Sequence, residues 1–288
     1  MGTHEETSSP AADSLPAWRD VWRLARAKVL RPLLHPLYWA YERRLQRQVA
    51  SGPVPAHIGL ILDGNRRYAR GIGIAARLGH EYGAEKLRRV LEWCLELGVG
   101  HVTLFVFSTE NFRRSSEEVD YLLELFVRES ASLLEEPRIK SERVRVRVIG
   151  QRERLPERVT AAVEALEVST AEHDGMLLTI ALAYGGREEI ADAVKEMLKE
   201  ACAEGRSIES LIAEVSADTL ERHLYTTGVP DPDFIIRTSG EQRLSGFLLW
   251  QSAYSEFHFV DALWPVFRRI DFLRAVRDYQ RRDRRYGR

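Results

Sequence analysis

The sequence predicts an α/β fold, with a mostly parallel central sheet that is flanked by helices. Two observations support this prediction. Short segments rich in β-branched and aromatic residues alternate with helical segments along most of the chain, and such alternation is typical of a parallel sheet. One short segment, 102–107, consists only of β-branched, leucine and aromatic residues, as expected for a strand that is covered on both faces.

The predicted elements follow one another in a regular order. Strands are expected at 57–62, 102–107, 144–149, 176–183, 234–236 and 247–249. Helices are expected at 82–97, 116–135, 155–173, 187–204, 217–224 and 271–286. Gly98 should end the first of these helices and Ser115 or Ser116 should begin the second, because glycine and serine are preferred at those ends.

Composition limits the class of protein. The chain has 288 residues, 44% of them hydrophobic and 30% charged, and a net charge of −1. It can therefore bury a large core, and it has no general attraction for nucleic acid. Cys94 and Cys202 lie far apart, so neither a disulfide framework nor a zinc site is expected, and a cytoplasmic location fits. Because no apolar segment has the ~18 residues of a membrane span, any contact with the inner face of the cell membrane should be peripheral.

Three regions are expected along the chain. Residues 1–17 are polar and lack the apolar segment of a signal peptide, which predicts a disordered tail. Residues 18–52 are predicted to form a basic amphipathic helical arm, with eight Lys or Arg against Asp20 and Glu42. This arm either packs on the domain or a partner subunit, or lies on an anionic membrane surface. Residues 53–288 are expected to form the main domain.

A polar cluster directly follows the first predicted strand: Asp63, Gly64, Asn65, Arg66, Arg67 and Tyr68. In an open parallel sheet, ligands bind at the carboxyl ends of the strands. Glycine lets a ligand approach the backbone and the arginines suit a phosphate. A carboxylate among them suits Mg²⁺ that bridges it to the phosphate. The alternative is a plain turn in which Asp63 caps the next helix.

Two further clusters end later strands. The second strand is followed by hydrogen-bonding and cationic side chains, namely Ser108, Thr109, Glu110, Asn111, Phe112, Arg113 and Arg114. Read alone, that cluster is equally well explained by a helix N-cap and a charged loop. The third cluster, 237–246, contains Arg237, Arg243 and Ser245, which suit a diphosphate, and Glu256 follows it as a second oxygen ligand for a metal.

Together the three clusters predict a site for two polyanionic ligands and a metal, without identifying those ligands. The GxGxxA pattern at 71–76 follows a helical segment instead of a strand, which argues against a dinucleotide site. The arginine-rich C-terminus is short, and the rest of the chain has no excess of positive charge. It is therefore interpreted as a solvated helix face or a phosphate clamp, and no nucleic-acid partner is expected.

The same clusters resemble the signature segments of the cis-prenyltransferases, the undecaprenyl diphosphate synthase family. The resemblance extends from about His57 to Gly287. It rests on the segments 63–67, 107–111, 184–187, 233–241 and 247–251, followed by 285–287. The resemblance implies a parallel-sheet α/β homodimer. The DDxxD motif of the trans-prenyl synthases is absent from the sequence.

The resemblance also implies substrates and roles. Asp63 would hold Mg²⁺ with the assistance of Glu256, and Asn111 would orient the reacting groups. Isopentenyl diphosphate and an allylic diphosphate would contact Gly64, Asn65, Arg66, Arg67, Tyr68, Arg77, His80, Ser108, Thr109, Glu110, Phe112, Arg114, Arg237, Arg243, Leu244, Ser245, Arg285 and Gly287. Arg285 and Gly287 would come from the neighbouring subunit. Many members have arginine where this chain has Ala76, and Arg77 is one residue further on.

The reaction implied is loss of pyrophosphate from the allylic substrate, attack of the isopentenyl double bond on its C1, and proton loss that leaves a Z double bond. Residues after the second strand and residues 116–135 would set the product length, and Val106 lies at a position where small residues leave room and larger ones block. The allylic primer implied is geranyl or farnesyl diphosphate. The arm and 240–246 resemble the actinobacterial short-chain branch, which implies Z,E-farnesyl diphosphate as the product. The alternatives are a long-chain decaprenyl or undecaprenyl product, a noncatalytic accessory subunit, and a phosphatase or other phosphate-binding enzyme.

Overall fold

The structure, a computed structural model, describes residues 38–282. The predictions for the tail, for residues 18–37 of the arm, and for Arg285 and Gly287 lie outside these residues. The chain divides into two compact units, up to Arg47 and from Gln48 onward. The described part begins with a helix, α1 (38–50). Within the described range, no helix combines the length and the apolarity that crossing a membrane requires.

Six strands of the second unit form one parallel sheet. They are β1 (His57–Ile61), β2 (His101–Ser108), β3 (Arg145–Ile149), β4 (Leu177–Tyr184), β5 (Phe234–Thr238) and β6 (Glu256–Val260). Their order across the sheet is β3-β4-β2-β1-β5-β6, and every neighbouring pair is parallel. All five residues of β1 are buried, because a central strand of a parallel sheet is covered on both faces. The predicted α/β class is confirmed.

The helices flank this sheet. They are α2 (Asn65–Gly71), α3 (Ala76–Leu97), α4 (Ser116–Glu135), α5 (Pro137–Ser141), α6 (Glu157–Ser169), α7 (Gly186–Ala203), α8 (Ile208–Glu214), α9 (Ala217–Glu221) and α10 (Arg269–Gln280). Gly98 ends α3 in the left-handed conformation, with φ 76°. The Ser115 side chain accepts a hydrogen bond from the Glu118 backbone at the start of α4. Both helix ends are therefore where the sequence predicted them.

One predicted strand is wrong. Residues 247–249 form turns, although Phe247 and Leu248 are fully buried. These apolar side chains pack in a core cluster with Ile61, Ala181 and Ile235, and they do not belong to the sheet. The last strand is instead β6, which pairs with β5 alone and is only partly buried. An apolar segment as short as this does not distinguish a strand from a buried turn.

The pH dependence of stability should contain a contribution from His57, which is buried at the start of β1. Its Nδ1 donates to the Pro230 carbonyl at 2.6 Å and its Nε2 accepts from Thr103 Oγ1 at 2.8 Å. Burial lowers the pKa of His57 from 6.5 to about 4. The neutral ring therefore contributes stability that is present above pH 6.5 and is lost as the pH falls toward 4, by about 3 kcal/mol.

Chemical unfolding of the wild type and of His57→Gln at a series of pH values measures this contribution. The free energy of unfolding of the variant should fall less steeply below pH 6.5, since glutamine does not take up a proton. Other groups that titrate in the same range are present in both proteins, so their effects cancel in the difference. Parallel curves for the two proteins would contradict the prediction.

Candidate active site

The carboxyl ends of β1 and β5 meet at the point where the strand order reverses. From this point the chain continues from β1 to β2 on one side and from β5 to β6 on the other. Such a reversal leaves a crevice in which the ligands of open α/β sheets bind. Asp63 lies two residues after the end of β1, and Arg237 lies in β5 opposite Ile61. The structure therefore brings the first and third predicted clusters together.

The backbone at Asp63 is firmly held. Its carbonyl accepts hydrogen bonds from Thr238 Oγ1 at 2.7 Å and from the Trp264 backbone N–H at 3.0 Å. Gly64 has φ 113°, and a Cβ atom there would lie 2.9 Å from the Leu263 side chain. A larger residue at Gly64 would therefore be strained both by its backbone conformation and by this contact. These constraints fix the direction in which the Asp63 carboxylate points.

The Asp63 carboxylate lies between two arginines. Oδ2 is 2.8 Å from Arg237 Nη2 and 3.4 Å from Arg67 Nη2. Burial acts to raise the pKa of Asp63. Hydrogen bonds from Arg237 and Ser239 and the charges of Arg237 and Arg67 outweigh it, so that the pKa is lowered. Asp63 is therefore ionised at neutral pH, as a cation ligand must be.

Arg237 is the buried cation of the site, with only 3% of its surface exposed. Besides Asp63, its Nη1 donates to Ser245 Oγ at 2.9 Å and to the Arg243 carbonyl oxygen. Ser239 and Ser245 both have positive φ, 85° and 51°. A non-glycine residue adopts such angles only where its surroundings hold it there. The loop therefore fixes the guanidinium of Arg237 in one position.

A second group of cations converges on Glu118 of α4. Its Oε1 is 2.9 Å from Arg114 Nη1, 3.5 Å from Arg66 Nε and 4.0 Å from His80 Nε2. Burial, together with the charges of Arg114 and Arg66, lowers the pKa of His80 to about 4. His80 is therefore neutral, and its buried Nε2 makes no hydrogen bond within the described residues. The cluster has excess positive charge and an unused polar atom, which suit an anionic ligand.

Glu118 was not predicted from the sequence. It lies three residues after Ser115, where a glutamate is typical of a helix start. That pattern accounts for the residue without a site. The signal that points to its role is spatial, since Arg66 in α2, His80 in α3 and Arg114 in the connection before α4 come together around it.

Two cavities, one polar and one mainly apolar, meet beside Asp63 and His80. One, of about 440 Å³, is polar and includes Arg66, Arg67, Arg70, Arg114 and Arg243 in its lining. The other, of about 350 Å³, is mainly apolar and runs between α3, α4 and the sheet. The residues that line both cavities are Leu62, Asp63, Asn65, His80 and Arg114.

Most predicted site residues line one of these cavities. They are Asp63, Gly64, Asn65, Arg66, Arg67, His80, Ser108, Glu110, Asn111, Arg114, Arg237, Arg243 and Ser245. Val106, predicted to affect product length, lines the apolar cavity. It lies at a register shift between β2 and β4. Asn111 Oδ1 accepts a hydrogen bond from the Ser108 backbone at 3.0 Å, so its amide group holds the turn after β2 and only its N–H₂ remains to donate.

Five of the predicted substrate-binding residues within the described range line neither cavity. Tyr68 contacts Tyr82 edge to face, Phe112 contacts Phe107 in the same way, and Leu244 packs on the core cluster. Thr109 Oγ1 lies against Gly185. Arg77 is exposed on the first turn of α3. The first four contact other residues of the protein, and the side chain of Arg77 lines neither cavity.

Glu256 does not lie near Asp63 within one chain, contrary to the expected pair of metal ligands. It is the first residue of β6 and pairs with Phe234, the first residue of β5. Arg237 is three residues further along β5, so Glu256 lies about 10 Å toward the amino-terminal edge of the sheet. There it forms an ion pair with Arg282. The metal role predicted for Glu256 therefore has no support within a single chain.

The donor set at Asp63 fits Mg²⁺. No group of three or more His, Cys, Asp or Glu side chains within residues 38–282 could hold a metal by itself. Mg²⁺ does not require such a group, because it usually binds one or two carboxylates together with waters and substrate phosphates. Asp63 offers one ionised carboxylate at the border of a cavity that contains five arginines. This combination suits a cation that arrives together with a phosphate.

The family profile described as putative undecaprenyl diphosphate synthase matches residues 61–287. This chain belongs to the undecaprenyl diphosphate synthase family. It is a prenyltransferase, as the sequence predicted.

Relatives from this family are similar to this chain over most of both lengths. The chain is 60% identical to an isoprenyl transferase of Thermus thermophilus, over 89% of this chain and 97% of that protein. It is 48% identical to a geranylgeranyl-diphosphate-specific tritrans,polycis-undecaprenyl-diphosphate synthase of Methanopyrus kandleri, over 91% and 95%. Its fold is similar to that of lavandulyl diphosphate synthase from Lavandula x intermedia in complex with dimethylallyl diphosphate. That comparison has a TM-score of 0.76 and 34% identity, over 82% of this chain and 99% of that one.

Proposed function

We propose that this prenyltransferase condenses isopentenyl diphosphate with an allylic diphosphate, geranyl or farnesyl, and releases pyrophosphate and a Z-prenyl diphosphate. One observation carries the proposal. A polar cavity rich in arginine opens at Asp63 and His80 into an apolar cavity. A prenyl diphosphate has the same two parts, an anionic head and an apolar tail.

The allylic diphosphate is placed with its head on Arg66, Arg67 and neutral His80. Its tail lies in the apolar cavity between α3 and α4. Arg237, whose position the loop 239–245 fixes, supplies the second binding group together with Ser245. Mg²⁺ is assigned to the Asp63 carboxylate, where it supplies positive charge to the diphosphate that leaves.

The chain's own residues support the bond changes electrostatically. The C1–O bond of the allylic substrate breaks and its electron pair leaves with pyrophosphate, whose developing charge faces Arg66 and Arg67. The isopentenyl double bond forms the new bond to C1, and a proton leaves the isopentenyl C2. Asn111 is assigned an orienting role. Its amide is a poor base and its oxygen already accepts the Ser108 N–H, so water or substrate phosphate takes the proton.

The product is proposed to be short, namely Z,E-farnesyl diphosphate. The apolar cavity of about 350 Å³ lies near the lower end of the range of roughly 300–1,000 Å³ for small-molecule sites. A long-chain product is the second candidate, because the Methanopyrus kandleri relative is named an undecaprenyl-diphosphate synthase.

We also propose a cytoplasmic homodimer with a peripheral membrane contact. The edge strand β6 leaves Phe259 exposed. Tyr254, two residues before the start of β6, is 86% exposed. An exposed aromatic edge of this kind suits a second copy of the chain. Within the first unit, α1 exposes Tyr38, Trp39 and Tyr41 beside arginines, a composition typical of helices that lie on anionic membranes.

The activity can be tested with the full-length chain, labelled isopentenyl diphosphate and either geranyl or farnesyl diphosphate. Incorporation into extractable product should require Mg²⁺ and stop when a chelator is added. Chromatography of the dephosphorylated product should show fifteen carbons from the geranyl primer. Incorporation that continues without a divalent cation would contradict the metal assignment, and a product of fifty or more carbons would establish the long-chain alternative.

A further inference from the structure

The apolar cavity has a charged pair in its wall, far from the diphosphate site. Its lining on α3 repeats at helical spacing from His80 to Leu91, and its lining on α4 does so from Leu122 to Leu133. Each series spans eleven steps from residue to residue, or about 16 Å along the helix axis. Both helices start at the polar mouth, so Leu91 and Leu133 lie at the inner end.

Arg88 and Glu129 lie toward this inner end and connect the two helices. Arg88 Nη2 is 2.6 Å from Glu129 Oε2 and 2.9 Å from Ser132 Oγ. Arg88 is two turns of α3 beyond His80, which places the pair about 12 Å inward from the mouth. The other charged residues that line this cavity all come from the segments at the carboxyl edge of the sheet, and they are Asp63, Glu110, Arg114 and Arg237.

The pair lies at the border between the cavity and solvent. The Arg88 side chain is 43% exposed and that of Glu129 is 30% exposed, while both also line the cavity. One side of the pair therefore contacts solvent and the other faces the path of the prenyl tail. A tail that extends past this point must cover charged atoms and remove their water, which is unfavourable without new polar partners.

We propose that the Arg88–Glu129 pair is a product-length stop: it interrupts the apolar path between α3 and α4 about one helical turn before Leu91 and Leu133, and so limits how many five-carbon units are added. The proposal rests on the proposed function, since it needs a growing prenyl tail in this cavity. The pair does not act on the reacting atoms. It determines specificity by making further extension of the tail unfavourable.

The replacement of both residues with leucine tests the proposal. Arg88→Leu/Glu129→Leu turns the charged wall into an apolar one. It should raise the share of products longer than the main wild-type product by about tenfold or more, a change that corresponds to one decade in relative rate. The exchange Arg88→Glu/Glu129→Arg keeps a charged pair at the same place and should keep the wild-type length.

A second ion pair between the same helices provides a matched control. Arg128 Nη2 on α4 is 3.2 Å from Glu81 Oε1 on α3, and neither residue lines the cavity. Arg128→Gln therefore breaks an α3–α4 contact without changing the wall, and it should leave the product length unchanged. If the double leucine variant does not fold, as judged by circular dichroism, Glu129→Gln keeps the size and removes the charge, and it should give intermediate lengthening.

Total incorporation and chain length are measured in the same samples, with geranyl diphosphate, labelled isopentenyl diphosphate and Mg²⁺. If the wild type incorporates no label, the proposed function fails. If it incorporates label but the double leucine variant, or Glu129→Gln in its place, makes wild-type lengths, the product-length stop fails. Equal lengthening by Arg128→Gln, or by the charge exchange, would also overturn it, because helix separation would then explain the effect without the charges in the wall.

Discussion

Asp63→Ala should lower kcat by about a thousandfold or more, since a bound metal contributes several kcal/mol of charge stabilisation and each 1.36 kcal/mol is a factor of ten. The substituted protein should still fold. Asp63 is partly exposed, and its backbone carbonyl keeps the hydrogen bonds from Thr238 and Trp264. Steady-state rates over a range of Mg²⁺ concentrations measure the effect.

Asp63→Asn separates two roles of this side chain. Asparagine keeps the size of the side chain and can still accept a hydrogen bond from Arg237, which Asp63 accepts at 2.8 Å. It lacks the negative charge that Mg²⁺ prefers in its ligands. If Asp63 holds the metal, the asparagine variant should be nearly as inactive as the alanine variant. Wild-type rates for Asp63→Asn at the same Mg²⁺ concentration would mean that Asp63 only positions Arg237.

The site could be predicted largely because parallel strands bring distant segments to one edge. Asp63 and Arg237 are 174 residues apart. Asp63 nevertheless lies two residues after the end of β1 and Arg237 is next to last in β5, and β1 pairs directly with β5. The rule that ligands bind at carboxyl strand ends therefore placed them together without knowledge of the strand order. The chemistry of the cavities followed from the arginines already present in those segments.

The metal role of Glu256 stays a prediction, although one element near it was misassigned. The apolar residues 247–249 were interpreted as the last strand, with Glu256 seven residues beyond it. Phe247 and Leu248 are instead buried in turns, and Glu256 begins β6. A shift of one element thus moves a residue from the carboxyl edge of the sheet to the opposite edge.

Contacts between helices could not be predicted from the sequence, for a different reason. Hydrophobic periodicity shows which face of a helix is buried, but not which residue of another helix it meets. Arg88 and Glu129 are 41 residues apart, and each alone fits an ordinary solvated face. Glu118 was likewise explained by the start of α4, so its contacts with Arg66 and Arg114 appear only in the structure.

Arg237→Met should lower kcat/KM for isopentenyl diphosphate by about a thousandfold, because the loss of one partner from a buried charge pair costs about 2–5 kcal/mol. The arginine is 3% exposed, and its removal leaves Asp63, Ser245 and the Arg243 carbonyl without their shared donor. The pKa of Asp63 should rise, since Arg237 contributes both a hydrogen bond and a charge that lower it. The acid limb of the pH–rate profile should therefore move to higher pH.

Arg243→Met is the matched control for this prediction. Arg243 lies in the same loop and lines the polar cavity, but its side chain is 62% exposed and its partner is Glu241. An exposed ion pair contributes little, so this variant should lose about tenfold or less in kcat/KM, mainly through KM. Arg237→Lys should fall between the two, because one ammonium group keeps the charge but cannot reproduce the fork of a guanidinium. Equal losses for Arg237→Met and Arg243→Met would show that the burial of Arg237 and its contact with Asp63 do not matter for the reaction. The loop would then act only as a diffuse source of positive charge.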